Sequence, residues 1–338
     1  MRLLSDVLLS PYTTFRIGGK ADFFVEAATL PELQEACQFA SSKSLPVFIL
    51  GGGSNILVAD EGWRGVVIKI EIGGIRLEER DGVSLVHAGA GVSWDELVAW
   101  TVERGLWGLE NLSGVPGSVG GAVVQNIGAY GAAISEVLES AEVLDTRNSQ
   151  VRTFSVQDCA FDYRDSFFKH DDGAYIVLSA SFALSREPQP NLSYKDLTVR
   201  FGDQTPALTE VREAVLQIRR EKFPDLSKEG TAGSFFKNPI LPKTEALALQ
   251  ARYPKMPLFD MPETAGVKVP AAWIMDKVLG LRGYALGRVR LFEKQAFVVV
   301  AEPGARAEEV RVLAEEVTRR VREECGIELE PEVRFIEK

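Results

Sequence analysis

Residues 111–135 read NLSGVPGSVGGAVVQNIGAYGAAIS, with no charged side chain and with glycine at 114, 117, 120, 121, 128 and 131. A regular helix or strand would lose stability at each of these glycines, which give up conformational entropy on folding and pack nothing in return. What such a segment offers is close backbone approach. Its N–H groups can form concave nests, or a helix start, that hold anionic oxygens without a basic side chain. A phosphorylated cofactor is the guest this composition suits; the alternative is a glycine-rich loop that binds nothing.

A second cluster favours the cofactor. Val47–Leu50 has the pattern of a buried strand and runs straight into Gly51-Gly52-Gly53-Ser54-Asn55. Before it a helix is expected over 30–42, where Thr29 and Glu32 match a capping box and Leu33, Ala36, Cys37 and Ala40 share a face. Neither cluster is a Rossmann fingerprint, since position 56 is isoleucine where that motif needs glycine, and neither contains a Walker lysine.

Composition narrows the partners. A chain of 338 residues has area for two or three domains, and 46% hydrophobic with 25% charged residues is ordinary for a soluble protein. The formal charge of -10 does not suggest the basic face that nucleic acid requires. Cys37, Cys159 and Cys325 are odd in number and lack any C-x-x-C spacing, so a reducing compartment is expected, without disulfides or a zinc site. With no eighteen-residue apolar run and no cleavage-site pattern, the expected location is cytoplasmic, with no membrane partner. His87 and His170 are the only histidines, too few for a His-ligated metal centre, and both read as structural. No metal is expected.

Along the chain, strands are expected at 21–25, 66–70, 83–88, 141–145, 151–154, 175–183, 296–301 and 327–336. Helices are expected over 94–104, where Ser93 with Glu96 is the cap and Gly105 the stop, and over 208–222, 244–253, 270–277 and 306–325. Residues 185–205, rich in proline and polar groups, read as a boundary or an inserted loop. Two α/β units with glycine nests, followed by a third, suggest a two-lobed cofactor domain and a substrate domain.

Three polar clusters can carry chemistry. In Tyr163-Arg164-Asp165-Ser166 an arginine between aromatics offers a planar fork to a carboxylate, a phosphate or a flavin carbonyl; the competing role is a salt bridge to Asp162 or Asp165. In the run from Gly230 to Pro239, Ser234 lies between glycine and phenylalanine and suits a proton donor or hydrogen-bonding role, or a turn. In Glu330-Pro331-Glu332-Val333-Arg334-Phe335-Ile336, alternation places Glu332, Arg334 and Ile336 on one face, either as an exposed edge or as a functional carboxylate.

These clusters and both nests, in this order, resemble the UDP-N-acetylenolpyruvoylglucosamine reductases, flavoenzymes of bacterial cell-wall synthesis. The resemblance runs through Thr14-Phe15-Arg16-Ile17-Gly18-Gly19, residues 51–55 and 114–131, Tyr163 to Ser166, and residues 232–239 and 330–335. It implies a mixed α+β and α/β fold, with a two-lobed FAD-binding domain of the vanillyl-alcohol-oxidase type and a C-terminal α/β substrate domain. The implied ranges are 1–70 for the first lobe, joined by a final strand within 327–338, 71–205 for the second lobe, and 206–326 for the substrate domain.

The resemblance also implies noncovalent FAD, held through Gly51, Gly52, Gly53, Ser54, Asn55, Gly114, Gly117, Ser118, Gly120, Gly121, Asn126, Gly128 and Tyr163. NADPH is the implied co-substrate and UDP-N-acetylglucosamine enolpyruvate the implied substrate, with hydride coming from reduced flavin N5. Arg164 and Glu332 match residues that stabilise the enolate-like intermediate, and Ser234 matches its proton donor. Tyr194, Arg219, Lys222 and Asn238 match contacts to the sugar-nucleotide diphosphate, whereas Phe259 stands where some members carry a tyrosine. A monomer is expected. An FAD-dependent oxidase of the same fold, and a non-catalytic flavin or sugar-nucleotide binder, are the alternatives.

Overall fold

A computed structural model describes residues 1–171, 173–261 and 266–337. The implied ranges 71–205, 206–326 and 327–338 include Asp172, residues 262–265 and Lys338, which lie outside the described residues. The chain forms two compact units, the first from residues 1–7, 21–53 and 63–220, the second from 8–20, 54–62 and 221–338.

In the first unit, one sheet has the spatial order Leu3–Leu8, Lys20–Ala27, Trp63–Ile70, Val47–Leu50. Trp63–Ile70 pairs parallel with both neighbours. Such central strands are covered on both faces and read as apolar runs, here Val66-Val67-Ile68, all fully buried. Helix α1 (Leu30–Ser42) links two of the strands and begins as expected, with the Thr29 hydroxyl accepting from the Glu32 amide and Glu32 accepting from the Ala28 amide.

The second sheet is antiparallel, in the order Gln150–Ser155, Leu138–Asp145, Tyr175–Leu184, Val83–Gly89, Ile75–Arg80. Its long middle strand alternates, with Leu178, Ala180, Phe182 and Leu184 buried and Ser179, Ser181 and Ala183 less so. The buried face receives helices α2 (Trp94–Glu103) and α3 (Val119–Gln125), with Trp94 edge-on to Phe182 at 5.8 Å. Ser93 occupies the N-cap of α2 but makes no side-chain cap bond, a departure from the capping box read there. Gly105 follows the helix at φ +69°, as its stop position requires.

One correction belongs to this unit. The proline-rich segment 185–205 contains helix α4 (Lys195–Phe201), whose Leu197 and Phe201 pack on helix α5 (Leu208–Lys222) through Ala214, Val215 and Ile218. It is a packed element rather than an open loop. The glycine-rich stretch contains a helix start, one of the forms expected of it, at α3, followed by a hairpin of Gly128–Ala129 and Ala132–Ala133.

The second unit holds a four-stranded sheet in the order Gly230–Ser234, Val298–Ala301, Val289–Leu291, Ala285–Leu286, and a three-stranded one, Ile240–Pro242, Gly266–Lys268, Phe259–Met261. Helices α6 (Lys243–Arg252) and α7 (Ala271–Trp273, continued by a π turn at Ile274–Val278) fall where expected. Helix α8 (Ala307–Cys325) buries Val310, Leu313, Ala314, Val317 and Val321 along one stripe. The core also takes Phe15, Ile17 and Leu57 from the two early segments.

The strand expected over 327–336 is only Arg334–Ile336, paired parallel with Ile56–Val58. Its expected alternation also fails, because Val333 and Ile336 are both buried while Arg334 is exposed. Residues before it are instead bonded to the 235–237 segment, which sets their orientation. Among the described residues no helix is long and apolar enough to cross a membrane.

Candidate active site

The first unit brings parts of the two glycine clusters together. A Cβ on Gly52 would lie 2.5 Å from the Gly117 Cα, and one on Gly51 would lie 2.6 Å from the Ser118 Oγ. At Gly52 backbone meets backbone, and only glycine permits that approach. Ser118 caps α3 and accepts from the Gly121 amide at 3.4 Å, while the Gly120 amide donates to the Ala90 carbonyl at 2.9 Å. Asn126 ends α3 at φ +45° and donates through Nδ2 to the Asp162 carbonyl at 2.9 Å. Its Oδ1 is buried without a protein partner. Walls of bare backbone and an orphaned carbonyl oxygen are what a large cofactor with phosphates and a polar ring system would use, so the residues present fit FAD.

Arg164 stands beside this cradle. The Asp162 and Asp165 backbones bond to each other at 3.1 and 3.0 Å across a tight turn, and Arg164 within it sits at φ +55°. Its guanidinium donates to the Gly128 carbonyl, lies 5.4 Å from the Tyr163 ring centroid, and its own carbonyl accepts from the Lys169 Nζ at 2.5 Å. Asp165 is engaged by His170 at 2.8 Å. Burial works against the Asp165 charge, yet His170 and the Ser166 amide hold its carboxyl below the ordinary range.

A third group in the same unit collects around α5. The Arg219 stem covers Gly114, whose added Cβ would lie 3.0 Å from Arg219 Cδ. Asp95 accepts from the Gly114 amide at 2.6 Å and from Arg212 at 2.7 and 3.0 Å. Burial opposes ionisation of Asp95, but those donors and the Arg212 charge keep its carboxyl low. Tyr194 is the N-cap residue of α4 and packs edge-on against Tyr130 at 5.1 Å.

In the second unit, Ser234 ends its strand after Gly233 at φ +78°, where a register shift between Thr231 and Ser234 turns the chain. Phe235 and Phe236, both fully buried, anchor the chain beyond it. The Glu332 amide donates to the Phe235 carbonyl at 2.8 Å and the Lys237 amide to the Glu330 carbonyl at 2.8 Å, so Ser234 and Glu332 lie on adjoining segments. Asn55 bonds to the second of these segments: its Nδ2 donates to the Glu332 carbonyl at 3.1 Å and its carbonyl accepts from the Arg334 amide at 3.0 Å. That part of the Asn55 side chain braces the 332–334 segment. Asn238 Oδ1 accepts from the Ala271 amide at 3.1 Å, and Lys222 ends α5. Phe259 is 49% exposed with Lys268 5.9 Å from its ring centroid.

Thus Arg164, Tyr163, Tyr194, Arg219 and the glycines belong to the first unit, and Ser54, Asn55, Lys222, Ser234, Asn238 and Glu332 to the second. Sequence reading passed over Tyr130, Asp95 and Arg212. Tyr130 alone left a trace, as the one aromatic residue within 111–135.

Residues 21–155 match an FAD-binding domain, and the cradle described above lies largely within that range. Fold and site together define an FAD-binding oxidoreductase. Residues 225–336 match the C-terminal domain of UDP-N-acetylenolpyruvoylglucosamine reductase. The chain is 39% identical to the UDP-N-acetylenolpyruvoylglucosamine reductase of Pseudomonas aeruginosa over 330 residues, 96% of each chain. It is 38% identical to that of Escherichia coli O157:H7, over 97% of this chain and 95% of the other. The chain belongs to the UDP-N-acetylenolpyruvoylglucosamine reductase family. The crystal structure of the Thermus caldophilus member superposes with a TM-score of 0.71 at 27% identity, covering 100% of both chains. A solvent-stable cholesterol oxidase shares the fold at a TM-score of 0.50 and 13% identity.

Proposed function

We propose that this protein reduces UDP-N-acetylglucosamine enolpyruvate to UDP-N-acetylmuramate with NADPH, a step of peptidoglycan precursor synthesis in the cytoplasm. The observation that carries the reading is the adjoining placement of Ser234 and Glu332, through the Glu332 amide bond to Phe235, within the part of the chain that matches the family's C-terminal domain. In functional terms, residues 1–70 and 71–205, with the strand in 327–338, serve as the cofactor lobes, and 206–326 as the substrate domain. The protein works as a monomer on small molecules.

FAD, bound noncovalently, supplies hydride transfer when present. The protein's own residues do the rest. Arg164 offsets negative charge that grows on the substrate carboxylate, where a fixed guanidinium costs no reorganisation. Glu332 assists at the same carboxylate. Ser234 gives its hydroxyl proton to the adjacent carbon; serine is a weak acid, so it needs the strongly basic carbon of an enolate. Tyr194, Arg219, Lys222 and Asn238 hold the diphosphate.

The test is spectroscopic. Under anaerobic conditions the flavin bands should bleach with NADPH and return on adding UDP-N-acetylglucosamine enolpyruvate. Bleaching without recovery rejects the substrate; a colourless protein that FAD does not reconstitute rejects the whole reading. Ser234→Ala should retain flavin and its reduction by NADPH while substrate turnover falls about 10²–10⁴-fold. Unchanged turnover would remove Ser234 from the mechanism.

A further inference from the structure

Tyr130 is 7% exposed and holds its backbone at φ +51°, a conformation that L side chains rarely adopt. Something must over-determine it, and strain of this kind clusters where a side chain has to be aimed. The backbone is pinned from two sides. Asn111 donates through Nδ2 to the Tyr130 carbonyl and to the Asn191 carbonyl, each at 2.8 Å, and Asn191 donates to the Gly131 carbonyl at 2.9 Å. The glycine-rich stretch and the segment leading to Tyr194 are thereby tied together.

The side chain reaches two groups at once. Its ring meets the Tyr194 ring edge-on, with centroids 5.1 Å apart at 80°, and belongs to the apolar cluster that α4 and α5 share. On α5 the ring packs with Ala214, Val215 and Ile218, directly before Arg219, and a side-chain hydrogen bond between Tyr130 and Arg219 helps hold the guanidinium charge. Burial lowers the Arg219 pKa, and the Tyr130 bond and the Asp95 charge act against that loss of charge. Asp95 is itself bonded twice by Arg212.

We propose that Tyr130 is a positioning residue for the sugar-nucleotide diphosphate, aiming Arg219 with its hydroxyl and seating Tyr194 with its ring. This rests on the diphosphate role given to Arg219 and Tyr194 above. A guanidinium already fixed in place loses less freedom when it meets an anion, and that saving appears as affinity.

Tyr130→Phe keeps the ring and removes the hydroxyl. Calorimetric titration of the FAD-loaded protein with uridine diphosphate reads the effect on binding directly. The variant should bind uridine diphosphate about tenfold more weakly, as loss of a hydrogen bond to a charged group predicts. KM for the enolpyruvyl sugar nucleotide should rise in parallel, with kcat, flavin content and the rate of flavin reduction by NADPH unchanged. Unaltered affinity overturns the proposal, and so does a joint fall in flavin content, which would mark a structural role only. Arg219→Lys provides the second arm. In that background Tyr130→Phe should have little further effect, because the bond it removes is already disrupted; additive losses overturn the proposal. A parent protein that binds uridine diphosphate but does not reduce the enolpyruvyl substrate defeats the proposed reaction, not the role of Tyr130. One that binds no uridine diphosphate defeats the role of Tyr130.

Discussion

At Gly52 a single hydrogen stands where any other residue would place a methyl group against Gly117, 2.5 Å from its Cα and 2.7 Å from its carbonyl carbon. Both obstacles are backbone, which cannot swing aside as a side chain can. Gly52→Ala should therefore destabilise the protein by about 1–3 kcal/mol, the usual cost of overpacking, and lower its flavin content. Gly73 is the control, since a Cβ there would meet only the Glu71 carbonyl oxygen at 3.9 Å. Gly73→Ala should change stability by no more than about 0.5 kcal/mol. Thermal melts with flavin quantitation check both; equal effects would mean that close approach is not why Gly52 is glycine. The sequence made the glycines conspicuous but could not say that the two clusters face each other. Asn55 shows the converse limit: it stood in the nest by number, yet its amide donates to the Glu332 carbonyl 277 positions away. Pairings of that kind have no local signature.

Elements with a long amphipathic period were legible. Helix α5 spans the residues expected of it, and α1 begins at the cap that Thr29 announces, because stripe and cap are both local. Short elements were missed. Helix α3 has seven residues, two of them glycine, and its Ser118 cap is evident only once the fold is known. The N-terminus of α8 was placed correctly, yet part of its capping comes from afar: Asp60 accepts from the Ala307 amide at 2.9 Å. The hairpin of Leu138–Asp145 and Gln150–Ser155 carries a pH dependence. Hydrogen bonds from Arg147 at 2.9 Å hold the Asp145 carboxyl down at about 2 against an ordinary 3.8, although its own burial works the other way; Arg152 adds to the lowering. A depressed carboxyl contributes stability that is complete above its unfolded pKa and is lost as pH falls through the folded one. Asp145→Asn should accordingly melt below the parent at pH 6, with the gap closing between pH 4 and 2. A gap that stays constant down to pH 2 would show that the charge of Asp145 is irrelevant.

At the scale of the molecule, the second unit is assembled from three stretches of chain. Residues 221–337 supply most of its core, but Phe15, Ile17 and Leu57 come from the early segments, as does the strand partner of Arg334–Ile336. Burying three such side chains contributes on the order of 5–9 kcal/mol, comparable with the whole net stability of a domain. A fragment of residues 221–337 should thus show no cooperative melting transition by calorimetry; a sharp transition would make the early segments dispensable. Neither early segment has a periodic pattern pointing to the far end of the chain, and that is why the interleaving was illegible. It also sets an order in time. On a ribosome adding about 5–20 residues per second, Ile56–Val58 emerges roughly 15–60 s before Arg334–Ile336 does. Throughout that interval a strand edge and three apolar side chains wait for partners not yet made. A translation pause anywhere between them prolongs the wait, so for this unit the speed of synthesis bears directly on the yield of folded protein.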